Sequence, residues 1–487
     1  MRPWLRRSLL ILAVFALCWG GAIWYWRTST RMPSTGDLAG TMLALPLALL
    51  AGWWLGKKLL TRLAAPATPP ALADTADGDA RAAGNEPAPR APLHLAAAAL
   101  RMPGGESASE LAAALLDKQQ RPELDPELTD AQGYPVMSAR VADLDEHGQK
   151  ELLDDWLRTR PADTAQDAAP HFDAEHLRAL ALGAGVLNEL MQEAAMHTAL
   201  DDYKAAQTGA RAALPLPILQ LHLLLPSDWN KPQRDMGAAW LRDQAGQQGW
   251  PLDKLSVHLA GNCGPLALIE QLAEQAALQE LPCLAIVLAC GSHIGELTVH
   301  DWTTRGLLFN ASQPGGQIPG EGAAGLLLAD AAQAAALQAD APVLLHHAST
   351  AVRGQSADSR GHGDASLLAE LGGKAMAAAS VAPTAITRLY ADADQRASRM
   401  IELMNNAGTL LPDIDLSSDV LSVAAACGQS GQVATLAALV LARHEAADNG
   451  SQVLCLSNLD AFQRAAVVVG PAAAVAPASA PETLAAT

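Results

Sequence analysis

Six cysteines, at positions 18, 263, 283, 290, 427 and 455, are the first candidates for chemistry in this chain. No pair has the C-x-x-C spacing of a redox motif, and no Cys/His set has the spacing of a zinc site. Most sit in apolar surroundings and read as small buried hydrophobes, which suits a reducing compartment better than a disulfide framework. Cys263 stands apart in a sharp corner, Asn262-Cys263-Gly264, between a strand over 255–260 and a helix from Pro265 to about Leu278. His346 and His347 end a strand, and His362 lies in a Ser/Gly/Asp-rich loop with Asp358 and Asp364. A metal there would need ligands converging from separate segments, so surface histidines are expected and no metal or cofactor is predicted. Ser292 and His293 are adjacent, but no Gly-x-Ser-x-Gly elbow supports a hydrolase triad.

The elements that must position these residues alternate between strand and helix. Strands are predicted over 135–141, 218–225, 255–260, 284–288, 343–347, 386–390, 420–425, 453–457 and 465–469. Helical periodicity covers 174–196, 238–248, 265–278, 366–379, 397–404 and a segment ending near His444. That alternation implies right-handed crossovers and a mainly parallel sheet covered on both faces. Two strand–corner–helix units, 259–278 and 423–444, suggest a duplicated plan, and neither has the Gly-x-Gly-x-x-Gly spacing of a dinucleotide fold. The centre is the stretch from Leu281 to Asp330. An apolar strand, Leu284 to Leu288, leads to a small-residue corner at Ala289 to Ser292, and Gly320, Gly322 and Gly325 open a second apolar run. Glycines at that density let backbones approach closely inside a packed sheet.

Composition bounds the rest. A formal charge of −18 leaves no basic stripe for phosphate backbones, so nucleic acid is excluded as a partner. Residues 8–26 and 38–56 contain no charge, and each is long enough to span a bilayer core. Arg2, Arg6 and Arg7 precede the first span and Lys57, Lys58 and Arg62 follow the second, which predicts a hairpin with both chain ends in the cytoplasm. Residues 1–62 are therefore expected to form a transmembrane helical hairpin, and 63–92 an Ala/Pro-rich disordered tether. Segments 93–330 and 331–470 would form the two halves of the folded portion, with 471–487 a disordered tail.

The run Gly320-Glu321-Gly322-Ala323, followed by Leu326 to Leu328, resembles a central strand of β-ketoacyl synthases. The expected fold class is thus α/β: a duplicated, thiolase-like layered domain behind the membrane hairpin. That resemblance implies a nucleophilic cysteine at the N-terminus of a buried helix and two histidines reaching in from the second half. The nucleophile position falls at Gly261 or Asn262, with Cys263 one or two residues late. The first histidine position holds Asp392, and the second holds Gly428 or Gln429. A carboxylate cannot donate to a carbonyl oxygen at neutral pH without a large upward pKa shift. The resemblance therefore implies a retained scaffold with a dismantled active site, a pseudoenzyme rather than an enzyme.

Further stretches carry a second resemblance: Tyr134-Pro135-Val136 with Arg140-Val141, Ala289-Cys290-Gly291-Ser292, Trp302 with Gly306-Leu307-Leu308, and Gln317 to Ala324. With the hairpin and tether, they resemble the type VI secretion lipase-adaptor family. Its implied role is an inner-membrane, non-catalytic adaptor that binds a lipase effector in the cytoplasm and helps load it on the secretion spike protein. Thiolase-fold proteins usually dimerise, which leaves a homodimer open. The competing expectation is a membrane-tethered, acyl-condensing enzyme of β-ketoacyl-synthase type using Cys263.

Overall fold

Glu321 is fully buried at the start of a nine-residue strand in which every residue is buried, and the rest of the sheet is laid out on either side of it. The computed structural model describes residues 91–159, 170–207, 216–261, 263–279, 282–338, 342–359 and 366–472. Both expected membrane spans, the tether and nearly all of the 471–487 tail lie outside the described residues. Among the described residues no helix is long and apolar enough to cross a membrane.

The strands are β1 (Leu93–Arg101), β2 (Glu123–Thr129), β3 (Pro135–Ser138), β4 (Leu219–Leu224), β5 (Leu255–Leu259), β6 (Leu284–Ser292) and β7 (Glu321–Ala329). They continue with β8 (Val343–Leu345), β9 (Ser349–Val352), β10 (Ile386–Ala391), β11 (Val420–Ser422), β12 (Gln452–Ser457) and β13 (Gln463–Pro471). Eleven of them form one sheet in the order β5-β4-β6-β7-β1-β8-β13-β12-β10-β11, with β9 attached to β13. Strands β2 and β3 make a separate hairpin.

Six helices layer this sheet: α1 (Ala174–Ala194), α2 (Lys231–Gln247), α3 (Pro265–Gln279), α4 (Leu367–Ala378), α5 (Ala397–Leu410) and α6 (Val433–Asn449). Helix α6 is apolar all round, with residues such as Leu436, Leu439, Val440 and Leu441 buried on every side, as a helix between two sheet faces must be. It packs on β1, β6 and β7 of one half and on β10, β12 and β13 of the other. Helix α3 shares that central core. Outside it, α1 and α2 cover the far face of the first half, while α4 and α5 cover the far face of the second. The result is a central helical layer between the two halves of the one sheet, with an outer helical layer on each half. Each fully buried Leu along these interfaces contributes roughly 1.5–3 kcal/mol of transfer free energy.

Three sequence expectations need correction. The sheet is mixed rather than mainly parallel. β4 is parallel to β5 and β6, and β10 to β11 and β12. However, β1·β7, β6·β7, β12·β13 and the pairs made by β8 and β9 are antiparallel. A strand buried on both faces reads as a continuous apolar run whichever way its neighbour points, so hydropathy alone does not reveal direction. The small-residue corner at Ala289 to Ser292 is no corner, because β6 runs through it to Ser292. Its small side chains serve close packing: a Cβ on Gly291 would lie 3.0 Å from the Ser430 carbonyl oxygen. Helix α2 starts at Lys231 rather than Ala238, since Asn230 and Gln233 form a reciprocal capping box ahead of the apolar stretch.

Antiparallel pairing of β6 and β7 sets Ser292 opposite Glu321. The Glu321 carboxylate accepts from Arg178 Nε at 2.7 Å and Nη2 at 2.5 Å, from Ser292 Oγ at 2.9 Å and from the Val141 amide at 2.7 Å. Arg178, on α1, also donates to the Val141 carbonyl and to Glu146. Next door, Gly320 meets Gly428 backbone to backbone, and a Cβ on Gly320 would fall 2.3 Å from the Cys427 carbonyl oxygen. Gly428 has φ +69°, a left-handed conformation that glycine takes without strain.

Two measurements follow from these contacts. Replacing Glu321 by Ala strands a buried guanidinium, so denaturant unfolding should show a loss of about 3–5 kcal/mol; a loss below about 1 kcal/mol would mean that the pair is not a structural requirement. His222 on β4 stacks on His258 of β5 at 4.8 Å between ring centroids. Burial, aided by the neighbouring His258, lowers its pKa from 6.5 to about 4. The unfolded chain then binds the extra proton first, so stability should fall as pH drops from about 6.5 to about 4, by on the order of 3 kcal/mol. Unfolding midpoints across that range should show the slope in the parent and a shallower one in His222→Gln, the remainder coming from groups such as His94 and His346, which burial also lowers.

Candidate functional site

Strand β5 delivers the chain to Gly261, and α3 begins at Pro265 with the Leu268 amide donating back to the Gly264 carbonyl. Cys263 therefore lies one residue before the helix cap, outside the turn whose free N–H groups would stabilise a thiolate. Its thiol is partly exposed, and burial raises its pKa above the ordinary value of 9.0. Among the described residues no charged group counters that rise. Asn262 is outside the described residues.

From the second half, β10 ends at Ala391 and places Asp392 beside the first turn of α6 and the end of β12. Asp392 is 1% exposed. One carboxylate oxygen accepts from the backbone N–H groups of Asn458 and Leu459 at 2.8 and 3.0 Å, the other from Thr435 Oγ1 at 2.8 Å and Ser457 Oγ at 2.5 Å. Burial raises its pKa, with those donors working against the rise. Four donors on two oxygens leave no lone pair aimed at a substrate, so Asp392 serves as a buried tie for the turn after β12.

Gly428 and Gln429 form the third position. Gln429 bridges the halves through its backbone: its N–H donates to Ile318 O at 2.8 Å, and its carbonyl accepts from Gly320 N at 3.1 Å and from His293 Nδ1 at 2.6 Å. Its side-chain Oε1 is buried without a hydrogen-bond partner.

One cavity of about 820 Å³ collects these positions. Gly261, Cys263, Asp392 and Gln429 all line it, whereas Gly428 does not. The sequence gave no notice of several other lining groups. Arg234, on α2, carries a buried Nε without a partner, and Gln432 spends its amide N–H on the Cys263 carbonyl at 3.4 Å. Thr435 and Ser457 are the partners of Asp392. A hydroxyl in the first turn of a helix and another at a strand end are common enough that only the three-dimensional pairing marks them.

Other candidates go elsewhere. His347 pairs with Glu270 at 2.5 Å, and His346 is half-buried, its pKa lowered by burial. Asp358 is held by Arg399 at 2.9 Å, while His362 and Asp364 lie outside the described residues. Ser292 is bound to Glu321 and His293 to Gln429, so they form no hydrolytic pair. Among the described residues no three His, Cys, Asp or Glu side chains could hold a metal ion.

Solved structures share this arrangement of layers. The ishigamide ketosynthase/chain length factor matches with TM-score 0.50 at 15% identity, over 78% of this chain and 99% of its own. An oxazolomycin ketosynthase domain from Streptomyces albus JA3453 matches with TM-score 0.51 at 14% identity, over 78% of this chain and 74% of its own. The ketosynthase from module 1 of the bacillaene synthase from Bacillus amyloliquefaciens FZB42 gives TM-score 0.51 at 12% identity, covering 80% and 75%. The fold is the thiolase-like fold of ketosynthases. At these identities the likeness concerns fold alone. No family model matches the chain, and no curated protein matches it.

The chemistry of this cavity can be checked directly. Native-state alkylation with iodoacetamide near pH 7.5, read by mass spectrometry, should modify Cys263 no faster than an unperturbed cysteine, because its thiol is raised and no cation stabilises its thiolate. Faster labelling would show an activated nucleophile.

Proposed function

We propose that this chain is a non-catalytic protein on a ketosynthase scaffold: a membrane-anchored adaptor that binds a type VI lipase effector in the cytoplasm and helps load it on the secretion spike. One observation carries the non-catalytic part. The cavity that brings Cys263, Asp392 and Gln429 together holds a raised thiol, a carboxylate saturated by four donors, and an amide where two imidazoles would be needed. Neither Asp392 nor Gln429 can do the work of an imidazole on the nucleophile's proton or at a developing oxyanion. Binding needs shape and surface, which the layered scaffold supplies without a nucleophile. The adaptor role itself is supported by the sequence stretches around Tyr134, Trp302 and Gln317 to Ala324, and by the two uncharged spans at 8–26 and 38–56.

The competing condensing-enzyme role is favoured by a single fact, that Cys263 faces the same cavity as the two degenerate positions. A Cys263→Ala variant of the full chain separates the two. It should still co-purify with a lipase effector from the source cell and support its delivery at the parental level. Neither protein should decarboxylate a malonyl thioester above the uncatalysed rate. Loss of function in a folded Cys263→Ala protein would sink the adaptor role in favour of catalysis.

A further inference from the structure

A second cavity, of about 420 Å³, lies across the segment Ser430–Gln432 from the first. Its lining carries several buried hydrogen-bond acceptors. Glu175 is 8% exposed, and its carboxylate is fixed by the Thr298 amide at 3.1 Å and Thr298 Oγ1 at 2.6 Å. Ser430 is 1% exposed, and its Oγ has no hydrogen-bond partner. Gln432 Oε1 is likewise buried without a partner, since only its amide nitrogen is engaged. His176 and His293 each use Nδ1 elsewhere, on Asp173 and on the Gln429 carbonyl. With Nδ1 as the donor, the remaining nitrogen is an acceptor whenever the ring is neutral. The one arginine in the lining, Arg305, pairs with Asp301 at 2.9 Å, and no lysine lines the cavity. At the rim Asp228 is exposed and has no partner among the described residues.

These acceptors are too dispersed for a metal ion. They call for a ligand with several N–H donors and positive charge on an apolar stem, and the buried indoles of Trp229 and Trp302 supply apolar walls for such a stem. We propose that this cavity binds an alkylammonium group, with Glu175 and Ser430 accepting from the charged head. The proposal stands apart from the adaptor role, because it rests on the cavity lining alone. Burial already raises Glu175 above the ordinary carboxylate range, the direction that a bound cation would reverse.

The same chemistry could come from a free diamine or from a lysine side chain of a bound protein. Calorimetric titration of the detergent-solubilised full chain with three probes distinguishes them: cadaverine, Nα-acetyl-lysine methylamide, and neutral 1,5-pentanediol. Cadaverine or the lysine amide should bind saturably and pentanediol should not. Tighter binding of the lysine amide assigns the site to a protein lysine, and tighter binding of cadaverine to a free amine. Glu175→Gln should weaken the better probe about tenfold or more, as loss of a charge-assisted hydrogen bond does. Should that buried variant fail to fold by circular dichroism, Asp228→Asn serves in its place, with an expected weakening of about two- to fivefold for an exposed charge. Pentanediol binding as tightly as the amines would overturn the proposal. So would the absence of any saturable amine binding, or an affinity unchanged in both variants.

Discussion

A carboxylate with no exposure can be tolerated only if every one of its demands is met, and Glu321 imposes that condition on four segments at once. Arg178 must come from α1, Ser292 from the end of β6, and the Val141 amide from the loop after β3. Meeting these demands fixes the register of β6 on β7 and the rotation of α1 over them. It also fixes Gly320, whose missing side chain admits the 427–429 backbone. That contact builds the wall from which Gln429, Ser430 and Gln432 project. Both cavities thus inherit their shape from an ion pair that neither of them contains.

The same economy appears around Asp392. Its carboxylate is turned to structural use, holding the 457–459 turn through two backbone and two hydroxyl donors. Such a group cannot leave its partners to follow a substrate, because each abandoned donor would be buried without an acceptor. A histidine placed at 392 would orphan Thr435, Ser457 and two amides together.

Much of this was legible in the residues themselves. The Gly320–Gly325 glycine pattern located the central strand, because only a strand pressed against other backbones needs so many missing side chains. The positions of Cys263, Asp392 and Gln429 were singled out by the ketosynthase resemblance and not by any spacing of their own. What could not be read was anything that depends on partners distant in sequence. The polar strand β2, with most of its residues exposed, carries no apolar alternation and passed unnoticed. Strand direction escaped because β6 and β7 are apolar from end to end. The second cavity was invisible for the same reason: Glu175, Trp229, His293 and Ser430 come from four separate elements, and nothing local in any of them announces a shared space.

The order of the strands in space has a consequence for how the protein is made. β1 opens the described chain, yet its neighbours are β7 and β8, with His94 opposite Ala329 and Leu93 opposite Leu345. A ribosome must therefore extend the chain to the end of β8 before the first strand has both of its partners. At about 5–20 residues per second, that interval runs to roughly ten to fifty seconds. Throughout it, a strand composed largely of Leu and Ala presents two open hydrogen-bonding edges, the feature that draws other nascent chains into non-native sheets. The nascent chain thus carries an unpartnered apolar strand for far longer than its final, well-tied sheet would suggest.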